Sequence, residues 1–388
     1  MKRVTIFTCI GGHNTISNAL QQHLSPFYDV TVKNIFLDVF KPIDFIRTFS
    51  FGRYTTEDLY SIVLKKRWHR FMNIFLQTIG YPFFRLRNKK MYQLISNCIV
   101  NDQPDLIISV IPFFNHHFLT ICKKLNIPFV LVPTDIDIST FLYQITPELA
   151  SYVSFHVALP FDTHTTKHNL LSYGIHKKNI HVTGVALKSS FFEQHNPDVT
   201  RKKFNIPHNR PVILLLMGSQ GSTSLYNFAQ QLSFIATLPL HLVMVLGRNN
   251  KQKCMIDTIH FPQTITTSLF AFTPHISELM SISNLLITKS GGVSVCEALY
   301  MNLPMLLDAT HEVLLWERMN QQFVIHNKFG EIVTDIKNLP DRIRQLLSHT
   351  NSDLSMYKNN LSHFEKKNGG THINQLLDSL FQNDTQKE

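Results

Sequence analysis

Short apolar runs alternate along the chain with segments whose apolar residues recur at every third or fourth position. The runs include "VTIF", "LIISVI" and "FVLV" in the first half, and "VILLL", "LHLVMVL", "LLIT" and "PMLL" in the second. Continuous apolar runs of this length predict buried strands, and the periodic segments between them predict helices. Strand, helix and strand in succession form parallel βαβ units, which bind ligands at the carboxyl ends of their strands. The pattern therefore predicts an α/β protein with doubly wound sheets.

The alternation is interrupted between residues 187 and 210 by a polar stretch that contains Pro197 and Pro207. Such a stretch is typical of a linker between domains, and 388 residues suffice for two domains of ordinary size. We expect one domain over residues 1–186 and a second over 187–345. The remaining residues, 346–388, are expected to form C-terminal helices and a tail that pack back toward the first domain.

Composition excludes several classes of protein. Hydrophobic residues make up 44% of the chain, which is too many for a disordered protein. The five cysteines stand apart without a CxxC pair, so we expect no zinc site and no disulfide framework, and a reduced cytoplasmic location. No apolar run approaches the roughly 18 residues of a membrane-spanning helix. The protein is expected to be soluble or to lie on a membrane surface.

The formal charge of +10 is concentrated in one segment. From Leu59 to Asn101 there is no Asp or Glu, and basic side chains mix with large apolar ones. This mixture suits an anionic lipid surface, although the aromatic residues could also be ordinary core beneath a solvated basic face. No nucleic-acid partner is expected, because no signature of a nucleic-acid-binding motif is present. The candidate membrane-binding residues are Lys65, Lys66, Arg67, Trp68, Arg70, Phe71, Arg85, Arg87, Lys89 and Lys90.

Glycine turns follow three of the predicted strands. In "ITKSGGVSVCEAL" an apolar strand ends at Lys289, and Ser290, Gly291 and Gly292 lead into a helix. Backbone N–H groups at such a helix N-terminus can bind an anion, but a tight turn that merely needs positive φ would look the same. Similar turns stand after "ILLLM" and after "TIFTCI".

Several motifs in a fixed order resemble a known family. They are "TCIGGHNTISNAL", "PDLIISVIPFF", "VTGVALKSSF", "LLLMGSQG", "MVLGRN" and "ITKSGGVSVCEAL", followed by Glu317 and Asn320. Together they resemble the GT-B glycosyltransferases of the monogalactosyldiacylglycerol synthase and diacylglycerol glucosyltransferase group (family 28), which is related to MurG. The resemblance covers most of the chain and implies two Rossmann-like domains that face each other across a cleft. The first would bind the acceptor and the membrane, and the second a nucleotide-sugar.

The resemblance also implies roles for individual residues. The second domain would hold a UDP-sugar as donor substrate, with no other cofactor. The glycine turns would contact its diphosphate, Glu297 its ribose hydroxyls, and the remaining residues its base, phosphate or sugar. The implied donor residues are Gly218, Ser219, Gly221, Arg248, Asn249, Ser290, Gly291, Gly292, Glu297, Glu317 and Asn320.

Catalysis requires a base that takes the proton of the acceptor hydroxyl. His13 is the first candidate, because it follows Gly11 and Gly12 in the acceptor loop and an imidazole accepts a proton at neutral pH. Asp135 is the second candidate, either as the base or as the residue that orients His13, and Asp38 is a further one. Asp135 and Asp137 form a D-x-D pair, but the doubly wound pattern argues against a metal site, and none is expected. Single displacement would invert the anomeric centre.

The chain departs from the family pattern in its first loop, which has fewer glycines than usual, and in two later motifs. Lys188 stands where the junction motif has arginine, and Leu314-Leu315-Trp316 stands where the family has Pro-Gly-Gln before Glu317. Because that Gln position commonly contacts the sugar, the choice between glucose and galactose stays open. The expected function is transfer of a hexose to a diacylglycerol-like lipid at a membrane surface. The alternatives are another acceptor, such as a polyprenyl-linked intermediate, and a non-catalytic descendant that binds nucleotide or membrane.

Overall fold

The computed structural model describes residues 1–218, 221–249, 251–348 and 352–385, so Ser219 lies outside the described residues, as does the side chain of Lys65. Two compact units are present. The first comprises Met1–Leu59, Phe75–Ser189 and Lys366–Glu388. The second comprises Tyr60–Ile74 and Ser190–Glu365. Each unit is therefore built from more than one stretch of sequence.

In the described parts of the chain, every strand of the two sheets runs parallel to its neighbours. The strands are β1 Arg3–Thr8, β2 Asp29–Asn34, β3 Leu106–Ser109, β4 Phe129–Leu131, β5 Phe155–Leu159, β6 Ile180–Val182, β7 Val212–Leu216, β8 Leu240–Val245, β9 Ile265–Phe270, β10 Leu285–Lys289, β11 Met305–Asp308 and β12 Gly330–Val333. Their order is β2-β1-β3-β4-β5-β6 in the first unit and β12-β11-β10-β7-β8-β9 in the second. The predicted α/β architecture with parallel sheets is confirmed.

Helices connect successive strands and flank both sheets. They are α1 Gly12–Leu24, α2 Phe45–Phe49, α3 Thr56–Lys66, α4 His69–Phe75, α5 Tyr81–Leu86, α6 Asn88–Asp102, α7 Asn115–Leu125, α8 Pro147–Ala150, α9 His164–Ser172, α10 Pro197–Phe204, α11 Ser224–Leu232, α12 Lys251–Ile256, α13 Ile276–Ser281, α14 Gly292–Tyr300, α15 Arg318–His326, α16 Leu339–Leu346, α17 Asp353–His363 and α18 Gly369–Thr385. Short 3-10 or π-helical turns cover Ile35–Val39, Lys41–Ile43, Leu76–Gly80, Lys177–Asn179, Ser189–Phe191, Leu315–Glu317 and Ile336–Asn338.

The apolar runs form the core of each sheet because they are buried on both faces. In the first unit, an aromatic row crosses the sheet, with ring centroids 4.5 Å apart for Phe7 and Phe118, 6.1 Å for Phe118 and Phe129, and 5.6 Å for Phe129 and Phe155. Fully burying such a side chain stabilises the fold by about 1.5–3 kcal/mol. These contacts fix the strands whose carboxyl ends carry the first glycine loop and Asp135.

The second core shows why the periodic segments become helices. Helix α11 buries Leu225, Phe228 and Leu232, which share one helical face, in a cluster that includes Ile213 and Leu215 of β7. This packing sets the position of β7 and of the glycine turn that follows it.

Two segments belong to a different unit from their sequence neighbours. Tyr60–Ile74 groups with the second unit, and Lys366–Glu388 with the first. The second grouping has a clear packing basis, since a Cβ at Gly370 would overlap the imidazole of His23, and Tyr28 hydrogen-bonds to Asp378.

Within the described ranges, no helix combines the length and the apolar character needed to cross a bilayer.

Candidate active site

The turns after β7 and β10 lie side by side, because these two strands are neighbours in the sheet and run in the same direction. The hydroxyl of Thr288 donates a 2.6 Å hydrogen bond to the carbonyl oxygen of Leu216, which ties the two strands together just before they end. The second unit thus brings two of the predicted glycine turns to one edge of its sheet, where parallel α/β sheets bind ligands.

Gly221 allows a third loop to join them. Its φ is 70°, and a Cβ at this position would lie 2.8 Å from Cβ of Asn249 and would overlap the carbonyl oxygen of Leu246. Any side chain would therefore push the loop after β7 away from the loop after β8. Asn249 is thereby placed next to this glycine. Arg248 is exposed, and its guanidinium carbon lies 4.9 Å from the ring centroid of Phe272.

Lys289, the last residue of β10, lies against both glycine turns. A Cβ at Gly218 would be 3.1 Å from its Cε, and a Cβ at Gly291 would be 3.0 Å from the same atom. The Lys289 ammonium lies 3.2 Å from Oε1 of Glu317. Lys289 was not among the predicted site residues, although a cation at the end of a buried apolar strand was a signal that could have indicated it.

The beginning of α15 braces the Ser290 turn. Asn320 donates a 2.8 Å hydrogen bond from Nδ2 to the carbonyl oxygen of Ser290, and Gln321 donates one of the same length from Nε2 to the Ser290 hydroxyl. Ser290 and Asn320 are fully buried. Within the described residues, Oδ1 of Asn320 has no hydrogen-bond partner. Through these two donated hydrogen bonds, Asn320 and Gln321 fix the conformation of the Ser290 turn.

Glu297 lies on α14, the helix that Gly291 caps and Gly292 begins. Only 9% of Glu297 is exposed, so this residue is not a glutamate on a solvated helix face. Burying a carboxylate is costly unless donors satisfy it. The helix thus carries a carboxylate one turn from an N-terminus that favours negative charge.

In the first unit, His13 is held at the carboxyl ends of the strands. Its Nδ1 lies 2.8 Å from the carbonyl oxygen of Val110 and 2.9 Å from the hydroxyl of Thr134. Because a carbonyl only accepts, Nδ1 carries the proton in the neutral ring and Nε2 keeps a free electron pair. Burial lowers the pKa of His13 to about 4, although the bond to Val110 opposes the shift. The imidazole is therefore neutral at physiological pH.

Asp135 is linked to His13 through Thr134, which was not among the predicted site residues. The Thr134 hydroxyl that contacts His13 also lies 3.4 Å from Oδ2 of Asp135. Thr134 thus connects the two predicted catalytic residues. Asp137 instead accepts a hydrogen bond from the backbone N–H of Ser139 at 2.8 Å. In the described part of the chain, no three His, Cys, Asp or Glu side chains are grouped as a metal ion would require.

The acceptor loop has a second support that sequence did not indicate. Gly11 has a φ of 78° with open space around its missing side chain, and Gly12 begins α1. Glu57 is buried, accepts a 2.8 Å hydrogen bond from Nδ2 of Asn34 and bonds to the backbone of Ile10. Burial raises the pKa of this carboxyl group.

Asp38, the further candidate for the base, accepts a hydrogen bond from the backbone N–H of Asn34 at 2.7 Å. This contact is typical of a residue that stabilises a local turn.

The basic and aromatic segment is divided between the units. In the second unit, Trp68 and Phe71 are 49% and 53% exposed, and the Lys66 ammonium lies 4.7 Å from the ring centroid of Trp68. Arg70 is also exposed, whereas Arg67 is paired with Asp308 and does not belong to the exposed set. The part of this segment that lies in the first unit has exposed basic side chains at Arg85, Arg87, Lys89 and Lys90.

Part of the sequence, most of it in the second unit, matches a known family. Residues 212–376 match the glycosyltransferase family 28 C-terminal domain. A processive diacylglycerol beta-glucosyltransferase of Staphylococcus carnosus (strain TM300) is 28% identical over 210 residues, 54% of this chain and 51% of that protein. An enzyme of the same name from Bacillus subtilis (strain 168) is 23% identical over 356 residues, 87% of each chain. The match to the Staphylococcus relative thus spans about half of that protein.

Solved structures share the fold across both units. MurG of Acinetobacter baumannii is 14% identical with a TM-score of 0.62, over 98% of this chain and 100% of that one. UDP-GlcNAc 2-epimerase from Neisseria meningitidis, bound to UDP-GlcNAc, is 15% identical with a TM-score of 0.58 over the same shares. The GT-B fold and the resemblance to the diacylglycerol glucosyltransferase group are confirmed.

Proposed function

We propose that this chain, which carries the C-terminal domain of glycosyltransferase family 28, transfers a hexose from a UDP-sugar to a diacylglycerol-like lipid. The observation that carries the proposal is the position of Lys289 beside both glycine turns of the second unit. A cation, two glycine turns and a helix N-terminus suit the diphosphate of a nucleotide-sugar. The names of the relatives support the lipid acceptor.

The second unit would bind the donor. In this proposal the turns at Gly218–Gly221 and Ser290–Gly292 contact the diphosphate, and Glu297 accepts hydrogen bonds from the ribose hydroxyls. Lys289 exchanges part of its contact with Glu317 for the phosphate oxygens. As the bond from the anomeric carbon to the diphosphate breaks, the charge that develops on UDP is stabilised by these groups. No step requires a metal ion.

The first unit would bind and activate the acceptor. The acceptor hydroxyl oxygen forms a bond to the anomeric carbon, its proton passes to Nε2 of His13, and UDP leaves with the bonding electron pair. His13 is suited to this role because its Nδ1–H is directed at Val110, which leaves Nε2 unprotonated. Asp135 acts through Thr134 to orient the imidazole and to stabilise the imidazolium. Attack from the face opposite UDP inverts the anomeric centre.

The exposed residues Lys66, Trp68, Arg70 and Phe71 would dock the protein on an anionic membrane from the cytoplasmic side. Aromatic rings suit the interface between headgroups and acyl chains, and each basic side chain contributes about 1 kcal/mol near an anionic surface. The exposed cations at residues 85–90 of the first unit would add to the attraction. Peripheral binding of this kind would give the enzyme access to a lipid acceptor.

The test is transfer of radiolabel from UDP-glucose and from UDP-galactose, with EDTA present, to anionic vesicles that contain diacylglycerol or a polyprenyl-linked sugar. We expect label in the diacylglycerol vesicles, and the donor that supplies it identifies the sugar. Label only in the polyprenyl-linked acceptor would overturn the lipid assignment. UDP binding without transfer from either donor would identify a non-catalytic descendant.

A further inference from the structure

The segment Tyr60–Ile74 presents two chemically different faces. The exposed face carries Trp68 and Phe71, whereas Arg67 and Asn73 are turned into the second unit, with 10% of the Arg67 side chain and 4% of Asn73 exposed. Buried polar groups of this kind require specific partners. Among the described residues, their side-chain partners lie in residues 308–315, which run from the end of β11 toward Glu317.

Arg67 holds the first part of this loop. Its Nη2 lies 3.0 Å from Oδ2 of Asp308 and 2.8 Å from the hydroxyl of Thr310, which itself donates a 2.6 Å bond to Oδ1 of Asp308. Arg67 has a φ of 59° between α3 and α4. A left-handed conformation costs a non-glycine residue about 1–3 kcal/mol, so the contacts with Asp308 and Thr310 must offset this strain.

Asn73 holds the second part. Its Nδ2 donates to the carbonyl oxygen of Val313 at 3.1 Å and to Oε1 of Glu312 at 3.2 Å, and its Oδ1 accepts the backbone N–H of Leu315 at 3.2 Å. The Asn73 amide thus both donates to the backbone carbonyl of Val313 and accepts from the backbone N–H of Leu315, as a neighbouring β-strand would. On the preceding turn of α4, Nδ1 of His69 lies 2.9 Å from the carbonyl oxygen of Glu312.

The loop is the direct lead into the donor site. Leu315 begins the short turn that ends at Glu317, and Glu317 pairs with Lys289 beside Gly291. We propose that Arg67, His69 and Asn73 are positioning residues for the donor, which hold residues 308–315 so that Glu317 and Lys289 are correctly placed. This inference rests on the proposed donor site. It makes donor binding dependent on the same segment whose other face is assigned to the membrane.

The sharpest test is Asn73→Asp. The new carboxylate would still accept the Leu315 N–H, but it would lose both donated bonds and would face Glu312. We expect the KM for the UDP-sugar and the Kd for UDP to rise about tenfold, while kcat changes less than threefold and the unfolding midpoint stays near that of the wild type. Adding Glu312→Gln should restore most of the affinity, because the amide of the glutamine can donate to the carboxylate.

Two further variants complete the design. Asn359→Asp makes the same chemical change at an exposed position of the second unit and should leave the Kd for UDP unchanged. Arg67→Lys keeps the charge but not the reach to both Asp308 and Thr310, and should weaken UDP binding several-fold even if Asn73→Asp proves unstable. Wild-type affinity for UDP in folded Asn73→Asp and Arg67→Lys proteins would overturn the inference. Absence of UDP binding by the wild type would instead refute the proposed function itself.

Discussion

Lys289 Nζ lies 3.2 Å from Oε1 of Glu317, and the lysine side chain runs past the positions where both Gly218 and Gly291 lack a Cβ. The Glu317 side chain is 5% exposed and that of Lys289 is 33% exposed. The glutamate is thus fixed inside the protein and the lysine is partly open to solvent. A ligand diphosphate that reaches the two turns would meet a cation that is already held in place.

Lys289→Met should weaken UDP binding by roughly ten- to hundredfold, since a hydrogen bond to a charged group contributes about 1.5–3 kcal/mol. Uridine has no phosphate, so its affinity should change less than threefold. Calorimetric titration with both ligands measures the difference. Lys203→Met, which breaks the Lys203–Glu278 ion pair elsewhere in the second unit, is the matched control. An equal loss for uridine and UDP would contradict the assignment of Lys289 to the diphosphate.

Gly221→Ala should destabilise the protein more than Gly52→Ala. Both glycines have positive φ, but only the Gly221 substitution meets neighbouring atoms, because nothing lies within 4 Å of a Cβ at Gly52. Backbone strain alone should cost about 1–2 kcal/mol in each variant. We expect Gly221→Ala to lower the unfolding midpoint by several degrees more than Gly52→Ala, as measured by thermal scans. Equal midpoints would show that the loops after β7 and β8 do not require this close approach.

His13 should make stability depend on pH below neutrality. Its pKa is lowered to about 4 in the folded protein by burial, against about 6.5 in an unfolded chain. As pH falls from 6.5 to 4, the unfolded state gains a proton that the folded state does not, so the folded state loses up to about 3 kcal/mol. Above pH 6.5 both forms are neutral and the contribution is zero.

The measurement is the unfolding midpoint of wild type and His13→Gln at pH 7 and pH 5. The wild type should lose more stability on acidification than His13→Gln, and the acid limb of its kcat/KM profile should lie nearer pH 4 than pH 6.5.

His13→Ala should abolish most of the transfer while UDP still binds. Full transfer activity in His13→Ala would show that another group is the base.

Thr134→Val should lower kcat about tenfold, because it removes the hydroxyl that links His13 to Asp135. Thr134→Ser keeps the hydroxyl and should retain nearly wild-type kcat. The KM for the UDP-sugar should be unchanged in both variants, since Thr134 lies in the first unit. Initial rates at saturating donor test this, and equal kcat values for Thr134→Val and Thr134→Ser would contradict the link.

The parts that sequence predicted are those that depend on local chemistry. Short continuous apolar runs that alternate with helical segments are typical of strands buried on both faces, so the parallel sheets were predictable. A glycine between a predicted strand and a predicted helix indicates a turn with positive φ. Gly218 and Gly221 have positive φ. Glu297 and His13 became candidates because of their positions relative to those turns, and their roles stay predictions.

The parts that sequence missed depend on contacts between distant residues. Arg67 belongs to a basic, aromatic stretch and was assigned to the exposed membrane surface, yet its guanidinium is paired with Asp308, 241 positions later in the chain. Thr134 and Glu57 are ordinary residues in sequence, and their contacts with His13 and Ile10 arise only when the strands are assembled. Lys289 carried a weak signal, because many strands end in a charged residue.

The most direct test of the donor site is calorimetric titration of the intact protein with UDP and with 2′,3′-dideoxy-UDP. We predict that the wild type binds one equivalent of UDP, that Glu297→Gln weakens this binding at least tenfold, and that the two proteins bind the dideoxy nucleotide alike. That pattern would place the ribose hydroxyls on Glu297. No binding of UDP by the wild type, or equal UDP affinity in the Glu297→Gln protein, would contradict it.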